Sequence, residues 1–308
     1  SIICSLLHDV VEDTSLTIKD IEADFGSEIS LIINGLTKIS GVVDSDVSLQ
    51  AENFRKMILT ISNDIRVVLI KIADRLDNMR TLEYLSQHKQ ERIASETLYL
   101  YAPLAHRLGL YSIKTELEDL SLKYTDPNTY FSISNKLNET KDNREKYIKK
   151  FTRPIKEKLK SENIKCSIKG RPKSIFSIRK KMIEKEIEFE EVFDKFAIRI
   201  IIDCPKKKEK EICWKVYSIV TDFYKPNPDR LRDWISNVKL NGYESLHTTV
   251  MGMDGSWVEV QIRTERMDEI AEKGYAAHWK YKQNKHQNSK IQENLDDWIN
   301  RIRDTLEY

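Results

Sequence analysis

The chain has 308 residues, enough for two domains with cores of their own, and its 51 Lys/Arg against 49 Asp/Glu leave a formal net charge of +2. That balance gives no global field toward nucleic acid or a membrane surface, no stretch approaches the roughly 18 apolar residues of a membrane span, and no signal peptide is visible. Four cysteines, Cys4, Cys166, Cys204 and Cys213, lack CxxC or metal-type spacing, which points to a reduced, cytoplasmic protein.

Residues 1 to about 124 read as helices. Leu6, Leu7, Val10 and Val11 give one amphipathic stripe; Ile18 to Phe25, Ile29 to Leu36 and Phe54 to Ile61 give others. Ser62-Asn63-Asp64 is an N-cap cluster for a helix running to about Leu82. In that helix Val67, Ile70, Asp74 and Asn78 share a stripe, which predicts that Asp74 and Asn78 face inward. A carboxylate there needs a partner, either a metal ion or a neighbouring arginine such as Arg75. His8 and Asp9 are adjacent on the first helix, and His-Asp with a distant Asp is a ligand set for a divalent metal. The dipeptide alone is common. Leu98 to Leu122 continues the helical pattern, with Gly109 as a possible break. Asp126-Pro127-Asn128 is a turn signal and divides a helical region, 1–124, from a second region, 125–308. The chain begins at Ser1 inside one helical pattern and stops at Tyr308 inside another (Leu295, Trp298, Ile299, Ile302, Leu306), as a portion of a longer protein would.

Residues 129–160 are charged and helical. From Lys141 to Lys181 there are 16 Lys/Arg against 4 Asp/Glu, read as a solvated helix face up to about Lys160 and as functional beyond it. From Asn163 the pattern turns mixed. Ile164, Cys166 and Ile168 alternate as a strand, with Cys166 on its apolar face. Phe196 to Ile202, Thr248 to Met251 and Val258 to Ile262 are further strands, and helices at about 174–186 and 211–224 lie between. Lys282 to Ser289 is polar and reads as a linker or loop. The fold class is α+β: an all-helical domain followed by a mixed α/β domain.

Four segments of the second region carry chemistry. The first is Gly170 to Lys181. A strand ending at Lys169, a tight turn at Gly170 and a helix from Ser174 would present Lys173, Ser177 and Lys181 on one face beside a helix N-terminus, a plausible polyphosphate cradle with Arg171. An ordinary basic helix face is the other reading of the same residues. The second is Asp194, just ahead of the strand from Phe196. The third is Val258 to Arg263, whose polar face lines up Glu259, Gln261 and Arg263. Asp194 and Glu259 together could hold Mg²⁺; apart they are a cap residue and an exposed one. The fourth comprises Asn241 to Thr249 and Gly274 to Lys282. Here Tyr243 is either a packing plug or a platform for a base, His247 a polar donor or a structural histidine, and His278 and Lys280 further cleft residues. Trp279 and Tyr281 are assigned to packing.

Taken in order, these segments resemble the RelA/SpoT family of alarmone synthetases and hydrolases over nearly the whole chain. The resemblance implies an HD-type hydrolase domain, then a nucleotidyltransferase-like synthetase domain. It implies transfer of pyrophosphate from ATP to the 3′-hydroxyl of GDP or GTP, with AMP leaving, and removal of that group from (p)ppGpp, in stringent-response signalling. By that resemblance Arg171 packs on adenine, Lys173, Ser177 and Lys181 hold ATP phosphates, Tyr243 lies under guanine, and Asp194 and Glu259 serve Mg²⁺, Glu259 as a second ligand or as the group activating the hydroxyl. In the hydrolase half it implies Mn²⁺ on His8, Asp9 and Asp74, Glu12 and Asp13 near the attacking water, and Asn78 at the nucleotide. It also implies a metal-ligating histidine upstream of His8, so this stretch alone is expected to hydrolyse poorly, and Asp77 departs from the histidine of many members. Arg230-Leu231-Arg232-Asp233 matches the basic motif of bifunctional members. Partners implied are ATP, GDP or GTP and (p)ppGpp, with ribosome or tRNA contacts belonging to C-terminal domains. Two other readings stand beside it: a hydrolase-dominant enzyme with an inactive synthetase, and a non-catalytic nucleotide- or RNA-binding module.

Overall fold

The computed structural model describes residues 2–43, 64–192, 194–239 and 241–274. It divides into two compact units, one from Ser1 to Tyr101 together with Lys285–Tyr308, the other from Ala102 to Asn284. Phe54 to Ile61, Ser62, Asn63, His278, Lys280, the 282–289 linker and the terminal helix lie outside the described residues, as do Trp279 and Tyr281.

The described first unit is helical: α1 Ile2–Leu6, α2 Val10–Asp13, α3 Ile18–Phe25, α4 Ser27–Val43, α5 Ile65–Arg80 and α6 Gln87–Glu96. Local chemistry sets the ends. Thr17 and Asp20 form a capping box at α3, the Thr17 amide donating to Asp20 Oδ2 at 2.7 Å. Asp64 caps α5, accepting from the Arg66 amide at 2.8 Å. Ile32, Ile33 and Leu36 of α4 and Val67, Val68 and Ile72 of α5 are buried at helical spacing. A π-turn at Thr97–Tyr101 follows α6, where continuous α-helix was expected. At its start the Thr97 hydroxyl donates to the Ile93 carbonyl at 2.7 Å.

The second unit opens with α7 Ala102–Arg107, α8 Tyr111–Thr125, α9 Pro127–Glu139 and α10 Lys141–Ser161. Gly109, at φ +74°, breaks the helix between α7 and α8, and Asp126 caps α9 ahead of Pro127 at its first position. The mixed part follows as β1 Cys166–Pro172, α11 Ile175–Lys185, β2 Phe196–Ile202, α12 Glu209–Phe223, β3 Arg232–Asp233, β4 Leu246–Met251, β5 Trp257–Thr264 and α13 Glu265–Lys273. The sheet order is β1-β2-β5-β4-β3. β2 and β5 run parallel with Ala197 opposite Glu259; the other pairs are antiparallel.

Period-2 alternation gives the sheet two unlike faces. Ile198, Ile200 and Ile202 of β2, Leu246 and Val250 of β4 and Val258, Val260 and Ile262 of β5 join Phe151, Ile155 and Leu159 of α10 and Val216, Ile219 and Val220 of α12 in one core, with Cys166 packed against it. Phe151 stacks on Tyr224 with ring centroids 4.1 Å apart. Arg199, His247, Glu259, Gln261 and Arg263 therefore stand on the opposite face. Two features differ from the sequence reading. β1 does not stop at Lys169 but runs through Gly170 to Pro172; Gly170 is not a turn but a close approach, since a Cβ there would overlap the Ile148 side chain. The two-residue strand β3 carries too little alternation to be seen in sequence.

Candidate functional site

On the polar face of the sheet, a cavity of about 280 Å³ is lined by Arg171, Lys173, Ser177, Asp194, Tyr243, His247, Glu259, Gln261 and Arg263. Residues from β1, α11, β4, β5 and the loop before β4 thus converge on one space. Lys181 belongs to the same cluster through its ion pair with Asp194. Tyr111, Trp234, Lys239, Arg199 and Glu272 also line it; sequence reasoning did not place them there.

Asp194 is the centre of charge. Lys173 Nζ donates to its Oδ2 at 2.7 Å and Lys181 Nζ meets the same oxygen; Oδ1 has no partner among the described residues. Burial works to raise the Asp194 carboxyl, but the two ammonium groups outweigh it and hold it below the usual range. The carboxyl is therefore ionised and faces two cations with one oxygen left over.

Glu259 is the second carboxylate. Burial pushes its pKa up, but hydrogen bonds from His247 and Gln261, with Lys173 nearby, overcome this and bring it to about 2. His247 Nδ1 lies 3.2 Å from Oε1, and Gln261 Nε2 donates to Oε1 at 2.9 Å. Burial lowers the His247 pKa, so the ring is neutral at pH 7. An ionised carboxylate only accepts, so Nδ1 carries the proton, and Nε2 must accept from the Tyr243 hydroxyl 2.8 Å away. Burial in turn raises the Tyr243 pKa and keeps that hydroxyl protonated. The chain Tyr243–His247–Glu259 is fully assigned, and it leaves Glu259 Oε2 open.

Tyr243 is 9% exposed. Its ring meets Tyr111 and Trp234 edge-on at 5.3 and 5.7 Å, and Lys239 sits 5.3 Å above it. Gly242, at φ +76°, makes the preceding turn, and Asn241 ties the loop to the Tyr111 hydroxyl at 2.8 Å. Arg263 is 1% exposed; its Nη2 lies 2.7 Å from Asp268 and 3.6 Å from Glu272. Arg199 pairs with the same two α13 carboxylates. Arg171 is the freest cation of the cluster, 42% exposed and 3.9 Å from Glu272.

The N-terminus of α11 departs from expectation. Its leading amides are not free for an anion. The Phe176 amide donates to Asp119 Oδ1 at 2.8 Å, the Ile175 amide bonds the same carboxyl, and the Ser177 amide donates to Ser174 Oγ at 3.2 Å. A carboxylate 57 positions upstream occupies the place expected for phosphate.

In the first unit, Asp9, Glu12, Asp13, Asp74 and Asn78 line a cavity of about 620 Å³, with Lys71, Arg75 and Arg92 also at its wall. His8 Nε2 is 2.9 Å from Asp9 Oδ2 and 3.2 Å from Asp74 Oδ1. Among the described residues this is a three-ligand group able to hold a metal ion. The donor chemistry fits one. His8 Nδ1 lies 2.8 Å from the Ser5 carbonyl, which can only accept, so Nδ1 carries a proton. Nε2 is then the nitrogen left to face the two carboxylates, and the three groups converge as metal ligands do. Asn78 is exposed rather than inward, donating to Asp74 Oδ1 at 3.1 Å. Arg75 is taken by Glu96 at 2.8 Å and lies over the Tyr101 ring at 4.3 Å.

No helix among the described residues is long and apolar enough to cross a membrane. Residues 170–286 match the region found in RelA / SpoT proteins, and residues 1–111 match the HD domain. The chain is 45% identical over its whole length to a GTP pyrophosphokinase of Myxococcus xanthus, covering 41% of that protein. It is 43% identical, over 97% of its length, to the bifunctional (p)ppGpp synthase/hydrolase SpoT of Escherichia coli, covering 42% of it. The chain thus spans about two-fifths of the curated relatives it matches. Small alarmone synthetase 1 of Bacillus subtilis, solved with its product pppGpp, covers 56% of this chain and 94% of its own at 22% identity and a TM-score of 0.35. With both domain matches in order and relatives alike from end to end, the chain belongs to the RelA/SpoT family.

Proposed function

We propose that the second unit transfers pyrophosphate from ATP to the 3′-hydroxyl of GDP or GTP. The observation that carries this is the pair of ionised carboxylates lining one cavity, Asp194 held by Lys173 and Lys181 and Glu259 held by His247 and Gln261. Such a transfer asks little covalent chemistry of the protein and much positioning and charge. Lys173 and Lys181, with Ser177, receive the ATP phosphates, and Arg171 is free to lie on the adenine. Tyr243 and Lys239 border the guanosine nucleotide. A magnesium ion on Asp194 and Glu259 would neutralise the polyphosphate charge. A carboxylate with a pKa of about 2 is a poor proton acceptor at pH 7. Glu259 is therefore either a second ligand to that ion or the group that orients the 3′-hydroxyl, and not its proton acceptor. The hydroxyl oxygen attacks the β-phosphorus, the bond from that phosphorus to the α–β bridging oxygen breaks, AMP leaves with that oxygen, and the hydroxyl proton passes to solvent.

The first unit is read as the opposing 3′-pyrophosphohydrolase. A manganese ion on His8, Asp9 and Asp74 would supply the Lewis acidity that makes water a nucleophile near neutral pH. Glu12 and Asp13 at the cavity wall accept its proton, and Asn78 contacts the nucleotide.

The test incubates the purified chain with Mg²⁺, labelled ATP and GDP or GTP, beside Glu259→Gln. Tetra- or pentaphosphate from the wild type and none from the variant supports the reading. Equal product from both removes Glu259 from the chemistry, and no product from the wild type contradicts the synthetase assignment.

A further inference from the structure

We propose that Asp119 is the positioning residue of the ATP-phosphate face: its carboxylate, reaching from α8, grips the N-terminus of α11 and so fixes where Ser177 and Lys181 stand. The inference rests on the synthetase reading and adds a residue to it.

The grip has two points. Asp119 accepts the Phe176 amide at 2.8 Å and the Ile175 amide beside it. One turn on, the Arg179 guanidinium reaches Asp126 Oδ2 at 3.1 Å through both Nε and Nη2. Asp126 is itself fixed, because its Oδ1 accepts the Thr129 amide and caps α9. Ile178, buried against Ile133, Leu137 and Val192, seats the helix between them. Ser177 and Lys181, at i and i+4, occupy the opposite side of α11 and face Asp194 and the cavity. The helix is therefore held from behind by two carboxylates of the α8–α9 corner, while its front carries the cations.

The electrostatics fit positioning better than ligand binding. Burial raises the Asp119 pKa, and the Phe176 and Ile175 amides work against it by favouring the anion at the helix N-terminus, so the carboxylate depends on the grip it makes. A phosphate in that place would compete with a fixed carboxylate, so the polyphosphate is left to Arg171, Lys173 and Lys181. Loss of the Asp119 grip lets α11 shift or fray at its first turn and moves Lys181 off Asp194. That disturbs ATP and leaves the guanosine nucleotide, which borders β4 and the Tyr243 loop, in place.

The experiment measures ATP binding and the KM of each nucleotide for the wild type, Asp119→Ala, Asp119→Asn and Arg179→Met. Asp119→Ala should raise the ATP KM about tenfold, the scale of a lost helix cap, and leave the guanosine KM within about twofold. Asp119→Asn keeps an acceptor for the Phe176 amide and should restore ATP KM to within about threefold of the wild type. Exchange of the Phe176 amide should quicken in the alanine variant and remain slow in the asparagine one. Arg179→Met releases the second point without touching Asp119 and should move ATP KM in the same direction; should Asp119→Ala not fold, this variant decides. An unchanged ATP KM, or an equal rise for both nucleotides, overturns the proposal. Absence of ATP binding by the wild type would sink the synthetase reading itself, a distinct result from wild-type binding that the variants leave untouched.

Discussion

Loss of Arg266 should cost this fold heavily for a single side chain. Its guanidinium donates to Glu209 from Nε at 3.0 Å and from Nη2 at 2.6 Å, and to Glu244 from Nη1 at 2.7 Å and Nη2 at 2.8 Å. All three side chains are nearly enclosed, at 14, 7 and 16% exposure. Glu209 opens α12 and Glu244 adjoins Tyr243, so one cation joins the helix behind the sheet to the loop in front of it. In Arg266→Met, Glu209 keeps only the Thr264 hydroxyl at 2.8 Å, and Glu244 loses its partner. Removing one member of a buried pair strands the other charge and costs about 3–5 kcal/mol. Urea unfolding followed through the fluorescence of Trp214, Trp234 and Trp257 measures this. Converting Glu209 to Gln in the same chain should recover part of the loss, because a neutral amide is cheaper to bury. A loss below about 1 kcal/mol, the range of an exposed ion pair, would refute the reasoning.

Phe151→Ala removes a fully buried ring stacked on Tyr224 and should cost about 3–5 kcal/mol in the same assay; a loss under about 1 kcal/mol would mean that the core collapses to fill the space. The Glu259 carboxyl is held at about 2 in the folded protein against 4.5 in the unfolded chain. A depressed carboxylate stabilises above its unfolded pKa and loses that contribution as pH falls through its folded one. The stability gap between wild type and Glu259→Gln should therefore narrow as pH drops from about 4.5 toward about 2, and a constant gap would count against it. His8→Ala should weaken Mn²⁺ binding to the first unit at least about tenfold, read from the free-ion electron paramagnetic resonance signal; unaltered binding would place the ion elsewhere.

Much of this was legible in the residues. Val258 to Ile262 alternates strictly, and strict alternation sets both the strand and the face on which Glu259 and Gln261 stand. The 3.6-residue period likewise put Lys173, Ser177 and Lys181 together. What escaped depends on distance along the chain. Asp119 reaches α11 across 57 positions, and nothing local marks that carboxyl as a cap. Gly170 looks like a turn residue in sequence because its partner, Ile148, lies on another element. Tyr243 reads equally as platform or plug until Tyr111 and Trp234 are seen around it. Asn78 shares the stripe of Asp74 but is exposed near the end of α5, at the wall of the cavity.

The most direct test of the synthetase claim is the identity of the adenosine nucleotide released. With ATP, Mg²⁺ and GDP or GTP, the chain should form AMP in step with the 3′-pyrophosphorylated product, because attack falls on the β-phosphorus, and Asp194→Asn should abolish both. Release of ADP instead, or AMP that forms without the guanosine nucleotide, would contradict pyrophosphate transfer at this site.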